Sequence, residues 1–197
     1  MTIKHHPAPE YLMSCAAGSM PESLAAVMAS HMSMCSRCRS ELADLDLIGA
    51  ALLEEVHPEP LESEMLLPRL AKSSVAVDAR EQRISDVPEP LQQFVGRSLN
   101  DVGWLHASQG VWQFPIPLAQ HSNASLCLFK IASGFNLPRK RHMGSKMVMV
   151  LQGELSDGQD RYGGGDVIEF EEAESRPMTA GEGRACVCLA AWEAPVS

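Results

Sequence analysis

Residues 31–38, HMSMCSRC, contain a histidine, a cysteine and a second cysteine at spacings of four and three residues. The residues before them have helical periodicity, and positions four apart on a helix lie on the same face. His31 and Cys35 therefore share a face, and Cys38 lies about one turn further along. Imidazole and thiolate are ligands that tetrahedral Zn²⁺ selects. The spacing predicts three ligands of one structural zinc site.

A structural zinc site needs a fourth ligand. His5 and His6 lie near the start of the chain, and an N-terminal arm folded against the helix would bring either one to the metal. Spacing does not choose between them. A redox-active pair is the alternative for Cys35 and Cys38, but a thioredoxin-like CxxC follows a strand in a βαβ unit. Because the preceding pattern here is helical, we favour zinc.

The pattern of the chain changes near its middle. Residues 9–70 have helical periodicity interrupted by Pro, Gly and Ser, which predicts four short helices. Residues 72–90 are polar and contain prolines, which is typical of a linker. Short runs rich in Val, Phe, Trp and Leu follow and indicate many strands. We therefore predict an α+β multidomain protein, with a zinc-binding helical domain in residues 1–85 and a β-barrel domain in residues 86–197.

Composition restricts the function. The formal net charge of the 197 residues is −9, and no Lys/Arg cluster forms a stripe for phosphates, so direct nucleic-acid binding is not expected. No stretch approaches the ~20 apolar residues of a membrane-spanning helix, and the first residues contain no signal-peptide core. The six cysteines are therefore expected to be reduced or metal-bound in a cytoplasmic protein.

The histidine near residue 6 and the HxxxCxxC motif closing the second helix resemble the signature of zinc-binding anti-sigma factors of the ChrR type, and the similarity covers residues 1–38. The resemblance implies that His6, His31, Cys35 and Cys38 hold a structural zinc, and it prefers His6 over His5. It also implies a helical domain that binds a group IV (extracytoplasmic-function) sigma factor and blocks RNA polymerase. Members of this type respond to an oxidative signal such as singlet oxygen.

The second half resembles a cupin jelly-roll barrel. In the first cupin motif Gly134, His142 and Gly153 match, whereas Lys140 and Lys146 replace a histidine and a glutamate. In the second motif, around residues 165–167, Arg176 stands near the position of the last histidine. Protonated lysine and arginine have no lone pair for a metal. We therefore predict a metal-free barrel.

The same replacements predict a different kind of pocket. Lys140, His142, Lys146 and Arg176 are expected to line the barrel mouth. Several buried like charges are unfavourable without an anionic partner, so a small anion or carboxylate is the expected ligand. A barrel that only stabilises or dimerises the protein is the alternative.

The sequence leaves two possible roles for each of two sets of apolar residues. The first set could form the core or a groove for the sigma factor: Leu24, Val27, Met28, Leu45, Leu47, Ile48, Leu52 and Leu53. The methionines near the zinc motif could sense oxidants or simply fill the core: Met13, Met20, Met28, Met32 and Met34.

Two other functions are less consistent with the sequence than the anti-sigma hypothesis. A cupin-fold enzyme, a dioxygenase or isomerase, needs an open metal site, which Lys140 and Lys146 disfavour. A transcription factor that contacts DNA needs a basic recognition helix, and the arginines at 37 and 39 are soon followed by acidic residues. We therefore expect a regulatory protein and not an enzyme.

Overall fold

The computed structural model describes residues 2–57, 85–119, 124–138, 145–171 and 176–193. These residues form four helices: α1 (Pro9–Ala16), α2 (Glu22–Met34), α3 (Ser36–Glu54) and α4 (Glu89–Val95). Three of them lie in the region predicted to be helical. The fourth helix predicted there, at about residues 60–72, and most of the predicted linker lie outside the described residues. None of the described helices is long and apolar enough to cross a membrane.

The zinc motif forms the corner between α2 and α3. Cys35 has extended backbone angles, φ −107° and ψ 107°, so the helix stops there. Its Sγ then accepts a hydrogen bond from the backbone N–H of Cys38, which satisfies one of the open donors in the first turn of α3. One cysteine therefore ends one helix and caps the next, which turns the chain and leaves both sulfur atoms on the same side.

In the described part of the chain, ten strands form two antiparallel sheets, as the short apolar runs predict. The six-stranded sheet has the order β1-β2-β3-β10-β5-β8, and the four-stranded sheet has the order β4-β9-β6-β7. The strands are β1 (Leu105–Ser108), β2 (Val111–Ile116), β3 (Ala124–Ile131), β4 (Asn136–Leu137), β5 (Lys146–Gln152), β6 (Glu154–Ser156), β7 (Arg161–Gly163), β8 (Val167–Phe170), β9 (Met178–Ala180) and β10 (Cys186–Glu193).

The six-stranded sheet is covered on both faces. On β10, Cys186, Cys188 and Ala190 face the four-stranded sheet, whereas Val187 and Leu189 belong to the core shared with the helices. This explains why β10 is an unbroken apolar run instead of an alternating one. The molecule therefore has three layers, with helices on one sheet and a second sheet beyond it.

The helices and the large sheet share one core. Met28 on α2 is fully buried, as are Leu128 on β3 and Met149 on β5 in the same cluster. α4 follows residue 85 in the chain and packs against α2. The first three helices lie before residue 85 and all ten strands after it, but their apolar side chains interlock. The division into domains 1–85 and 86–197 stays a prediction.

Candidate metal centre

Four of the predicted ligands lie together between the N-terminal arm and the corner of α2 and α3. One donor atom from each of His6, His31, Cys35 and Cys38 lies within 4.8 Å of all the others. His31 Nε2 is 3.3 Å from Cys38 Sγ, and His6 Nδ1 is 3.4 Å from both sulfur atoms. Zn–N and Zn–S bonds of about 2.0 and 2.3 Å place tetrahedral donors about 3.5 Å apart. The four residues therefore fit a tetrahedral zinc ion.

Because the donor groups are buried, their thiols ionise readily only if a cation is bound beside them. Burial raises the pKa of the Cys38 thiol to about 12, and the neighbouring Cys35 adds to the shift. Burial also lowers the pKa of His31, which keeps its imidazole neutral and its lone pair available. Zn²⁺ supplies the positive charge that lets buried thiols lose their protons. All four positions are filled by protein, so the ion would be structural and would leave no place for a reacting water.

A backbone carbonyl of the barrel orients His31. Its Nδ1 lies 2.8 Å from the Gly165 oxygen, and because a carbonyl only accepts, Nδ1 carries the proton and donates. Nε2 is then the lone-pair nitrogen and faces Cys38. Such outer hydrogen bonds fix the tautomer and ring orientation of metal-binding histidines. Gly165 has φ 90°, and a Cβ there would lie 2.6 Å from the Ile3 side chain, so only glycine fits this turn.

Asp166 holds the N-terminal arm in place. Its Oδ1 accepts hydrogen bonds from the backbone N–H groups of Lys4 and His5, at 2.6 and 2.9 Å, and its Oδ2 accepts one from Gly163 at 2.8 Å. Burial of Asp166 opposes ionisation, but these donors lower its pKa below the ordinary value. The His5 carbonyl in turn accepts from the Val167 N–H. The arm is therefore attached to the turn before β8.

This attachment separates the roles of the two N-terminal histidines. The His5 ring lies 4.5 Å from the Tyr162 ring, and its Nδ1 is 3.4 Å from Asp166 Oδ2. His6 points the other way, toward the two cysteines. The backbone direction set by Asp166 thus places His6, and not His5, in the four-donor cluster. Sequence analysis assigned Gly165 and Asp166 to a cupin motif only and missed this second role.

Only part of the predicted barrel site lies within the described residues. A cavity of about 570 Å³ lies inside the barrel, and both Lys146 and Arg176 line it. Lys140 and His142 lie outside the described residues. Arg176 Nη1 is 3.5 Å from Asp157 Oδ2. Among the described parts of the chain, the only converging group of three or more His, Cys, Asp or Glu donors is the N-terminal one.

The fold and this site define a class of protein, a helical metal-binding module packed on a cupin-like barrel. A family model described as the ChrR cupin-like domain matches residues 92–193. The anti-sigma-E factor ChrR of Cereibacter sphaeroides is 36% identical over 204 residues, covering 100% of this chain and 92% of that protein.

A solved structure shows the same similarity over the whole chain. The crystal structure of Rhodobacter sphaeroides SigE in complex with the anti-sigma ChrR matches with a TM-score of 0.83 and 34% identity, covering 98% of this chain and 100% of that one. The chain belongs to the ChrR family of anti-sigma factors. It is therefore a regulatory protein and not an enzyme, and the predicted helical and cupin-like architecture is confirmed.

Replacing one thiolate tests the metal centre. We expect the wild-type protein to carry about one zinc per chain and Cys35→Ser to carry almost none after dialysis, because the site loses a ligand. Cys15→Ser is the matched control, since Cys15 lies on α1 and is not among the four donors. Elemental analysis of the purified proteins measures the difference. Full zinc retention in Cys35→Ser would contradict the assignment.

Removing the carboxylate that holds the arm should weaken the same site. In Asp166→Ala, three backbone N–H groups lose their acceptor, and we expect zinc affinity to fall about 10- to 100-fold, as for other outer-shell residues. Chelator competition measures the affinity. Asp160→Ala, at an exposed position of the barrel, is the control and should bind zinc normally. Unchanged affinity in Asp166→Ala would show that the arm is held without this side chain.

Proposed function

We propose that this chain is a cytoplasmic anti-sigma factor that binds a group IV sigma factor through residues 1–85 and keeps it from RNA polymerase. The barrel in residues 86–197 is the sensory domain in this proposal. His6, His31, Cys35 and Cys38 hold a structural zinc that fixes the corner between α2 and α3. The proposal is supported by the similarity to ChrR, whose complex with SigE has been solved.

The observation that carries the proposal is an apolar surface on α3. Large apolar side chains on its second half and just beyond are 58–71% exposed: Leu47, Ile48, Leu52, Leu53 and Val56. A contiguous group of this kind marks a binding site more often than scattered apolar residues do. Leu24, Val27 and Met28, which have the same apolar character, are buried in the core instead. The structure thus separates core residues on α2 from candidate partner-binding residues on α3.

A single charge on this surface should prevent complex formation. We expect Leu52→Asp to weaken binding of the cognate sigma factor by roughly 30-fold or more, because a desolvated, unpaired carboxylate would lie in the interface. Leu105→Asp is the matched control, since Leu105 is 56% exposed on the barrel and Leu52 is 62% exposed. Co-expression with group IV sigma factors of the same genome, followed by affinity measurement, gives the result.

Two outcomes would contradict this proposal, the first its function and the second its binding surface. One is a folded, zinc-loaded wild-type chain that binds none of those sigma factors. The other is Leu52→Asp protein that binds as tightly as Leu105→Asp, which would place the interface elsewhere. Zinc content, measured on the same samples, shows whether a variant has lost its fold.

We further propose that the signal for release is oxidative, with singlet oxygen as the expected oxidant. Met34 directly precedes Cys35 and is 42% exposed, whereas Cys35 and Cys38 are almost fully buried. The Met34 Cε lies 3.6 Å from where a Cβ on Gly165 would be, so its side chain packs against the turn that orients His31. Oxidation to the sulfoxide would put a polar group into this contact.

Met34→Leu tests the oxidative step. Under photosensitised singlet-oxygen production, we expect the sigma complex of this variant to dissociate several times more slowly than the wild-type complex, since leucine cannot form a sulfoxide. Met13→Leu is the control, because Met13 is 60% exposed on α1 and is not part of the contact with Gly165. Equal dissociation of all three complexes would exclude Met34 as the sensor.

We also propose a second signal-binding site in the barrel, where Lys140, His142, Lys146 and Arg176 would bind a small anion. Lys146 and Arg176 support it, since both line the cavity. Among the described residues, the six-stranded sheet lies between the cavity and the helices. An occupant of the barrel would therefore lie one layer away from the sigma-binding module.

A further inference from the structure

Tyr162 on β7 links the interior of the barrel to the N-terminal arm. Its side chain is 5% exposed and belongs to the apolar cluster that joins the two sheets. The centre of its ring lies 4.5 Å from the centre of the His5 ring, and the two planes are tilted by 51°. Rings at this separation attract each other. Because His6 follows His5 directly and supplies a donor to the metal centre, the position of the His5 ring restricts the position of His6.

The hairpin between β6 and β7 holds the other end of the tyrosine. The Tyr162 hydroxyl donates a hydrogen bond to Asp157 Oδ2 at 3.0 Å. Oδ1 of the same carboxylate accepts the backbone N–H groups of Gln159 and Asp160, at 3.0 and 2.8 Å. These hydrogen bonds, the one from Asp160 first, lower the pKa of Asp157, so the carboxylate stays ionised and both oxygens remain acceptors. One carboxylate therefore closes the turn of the hairpin and fixes the tyrosine.

The backbone of β7 reaches the same arm by a second route. The Gly163 N–H donates to Asp166 Oδ2 at 2.8 Å, and the Gly163 carbonyl accepts from the Asp166 N–H at 3.0 Å. The other oxygen of Asp166 accepts the backbone N–H groups of Lys4 and His5. His5 is thus held by its backbone through Asp166 and by its ring through Tyr162. The first contact sets the path of the arm, and the second restricts its rotation about that path.

The arm is the part of the metal centre that depends most on these contacts. His31, Cys35 and Cys38 lie on one continuous corner of α2 and α3, whereas His6 is brought to them from the start of the chain. Its Nδ1 is 3.4 Å from both sulfur atoms, close to the separation of about 3.5 Å expected in a tetrahedral zinc site. Functional donors need placement within about 0.5 Å. A small displacement of the arm is therefore enough to weaken the site.

We propose that Tyr162 is a positioning residue for the metal centre and that the β6–β7 hairpin controls zinc affinity through it. A change that draws the hairpin away from the tyrosine hydroxyl frees the ring, which frees His5 and lets His6 move out of the four-donor cluster. Coupling of this kind is reciprocal, so zinc should also order the hairpin. The inference deepens the proposed sensing role of the barrel. It rests on that role only for its biological consequence, since zinc affinity is measured without a sigma factor.

Chelator competition on the full chain tests the positioning role. Tyr162→Phe keeps the ring and loses the bond to Asp157, so we expect zinc affinity to fall about threefold. Tyr162→Leu also loses the contact with the His5 ring, and a fall of about tenfold or more is expected, as for other outer-shell residues. Ile131→Ala is the control and should bind zinc normally. Ile131 is buried in the same cluster but lies on β3, which does not pair with β7.

A double-mutant cycle separates positioning from a general loss of stability. If Tyr162 acts through the His5 ring, His5→Ala already removes the contact, and adding Tyr162→Leu should lower zinc affinity by less than about twofold more. Cobalt(II) bound in place of zinc gives a second measurement, because its visible absorption reports the ligands and their geometry. The cobalt spectrum should change in Tyr162→Leu and stay the same in Ile131→Ala.

Hydrogen exchange on the unmodified chain tests the reciprocal effect and needs no variant to fold. We expect the amides of Gln159 and Asp160 to exchange several times faster after a chelator has removed the zinc than in the zinc-loaded protein. The amide of Ala180 is the internal control. It bonds to the Phe135 carbonyl in the same small sheet, on the side away from β7, and its exchange should change much less.

Four results would overturn the proposal. They are wild-type zinc affinity in Tyr162→Leu, equal losses in Tyr162→Leu and Ile131→Ala, additive losses in the cycle with His5→Ala, and hairpin exchange that does not respond to zinc. Sigma-factor binding is measured separately on the same preparations. A chain that binds its sigma factor but gives one of these four results overturns this inference alone. A chain that gives the expected zinc results but binds no sigma factor overturns the proposed function alone.

Discussion

Two thiols and two imidazoles converge in the interior of this protein, and a bound cation would stabilise this arrangement. Without one, burial keeps Cys38 protonated and leaves the donors crowded within 4.8 Å. With Zn²⁺, the same four groups would tie the N-terminal arm to α2 and α3. Binding of a structural zinc contributes roughly 10 to 16 kcal/mol in small model sites, which is comparable to the whole stability of a domain. A zinc ion held by these four groups would therefore contribute much of the stability of the helical module.

The barrel contributes to that centre directly. Gly165 fixes the tautomer of His31, and Asp166 sets the path of the arm, so one turn of the barrel positions two of the four donors. A run of contacts also joins the cavity to the arm, from Arg176 to Asp157, to the Tyr162 hydroxyl and to the His5 ring. The helical module and the barrel are therefore connected by packing and by polar contacts. The barrel therefore contacts the metal centre directly, without an intervening linker.

The same packing explains how one chain can have both a stable core and an exposed apolar surface on α3. α2 has its apolar side chains against the six-stranded sheet, which is covered on both faces. α3 lies further out, and Cys38 is its only buried residue in the described part of the chain. Leu47, Ile48 and Leu52 are left exposed, which is unfavourable in a monomer but suitable for a helix that binds a partner.

The sequence by itself determined what depends on local spacing. The HxxxCxxC motif specified three donors on one helical corner, and the short apolar runs specified strands, because periodicity along a helix or strand sets which side chains share a face. The tertiary structure decided between His5 and His6, gave Gly165 and Asp166 their role at the centre, and placed Lys146 and Arg176 at one ring. These contacts join residues far apart in the chain. Only the packing of the arm, helices and sheets brings them together, and no local pattern encodes that packing.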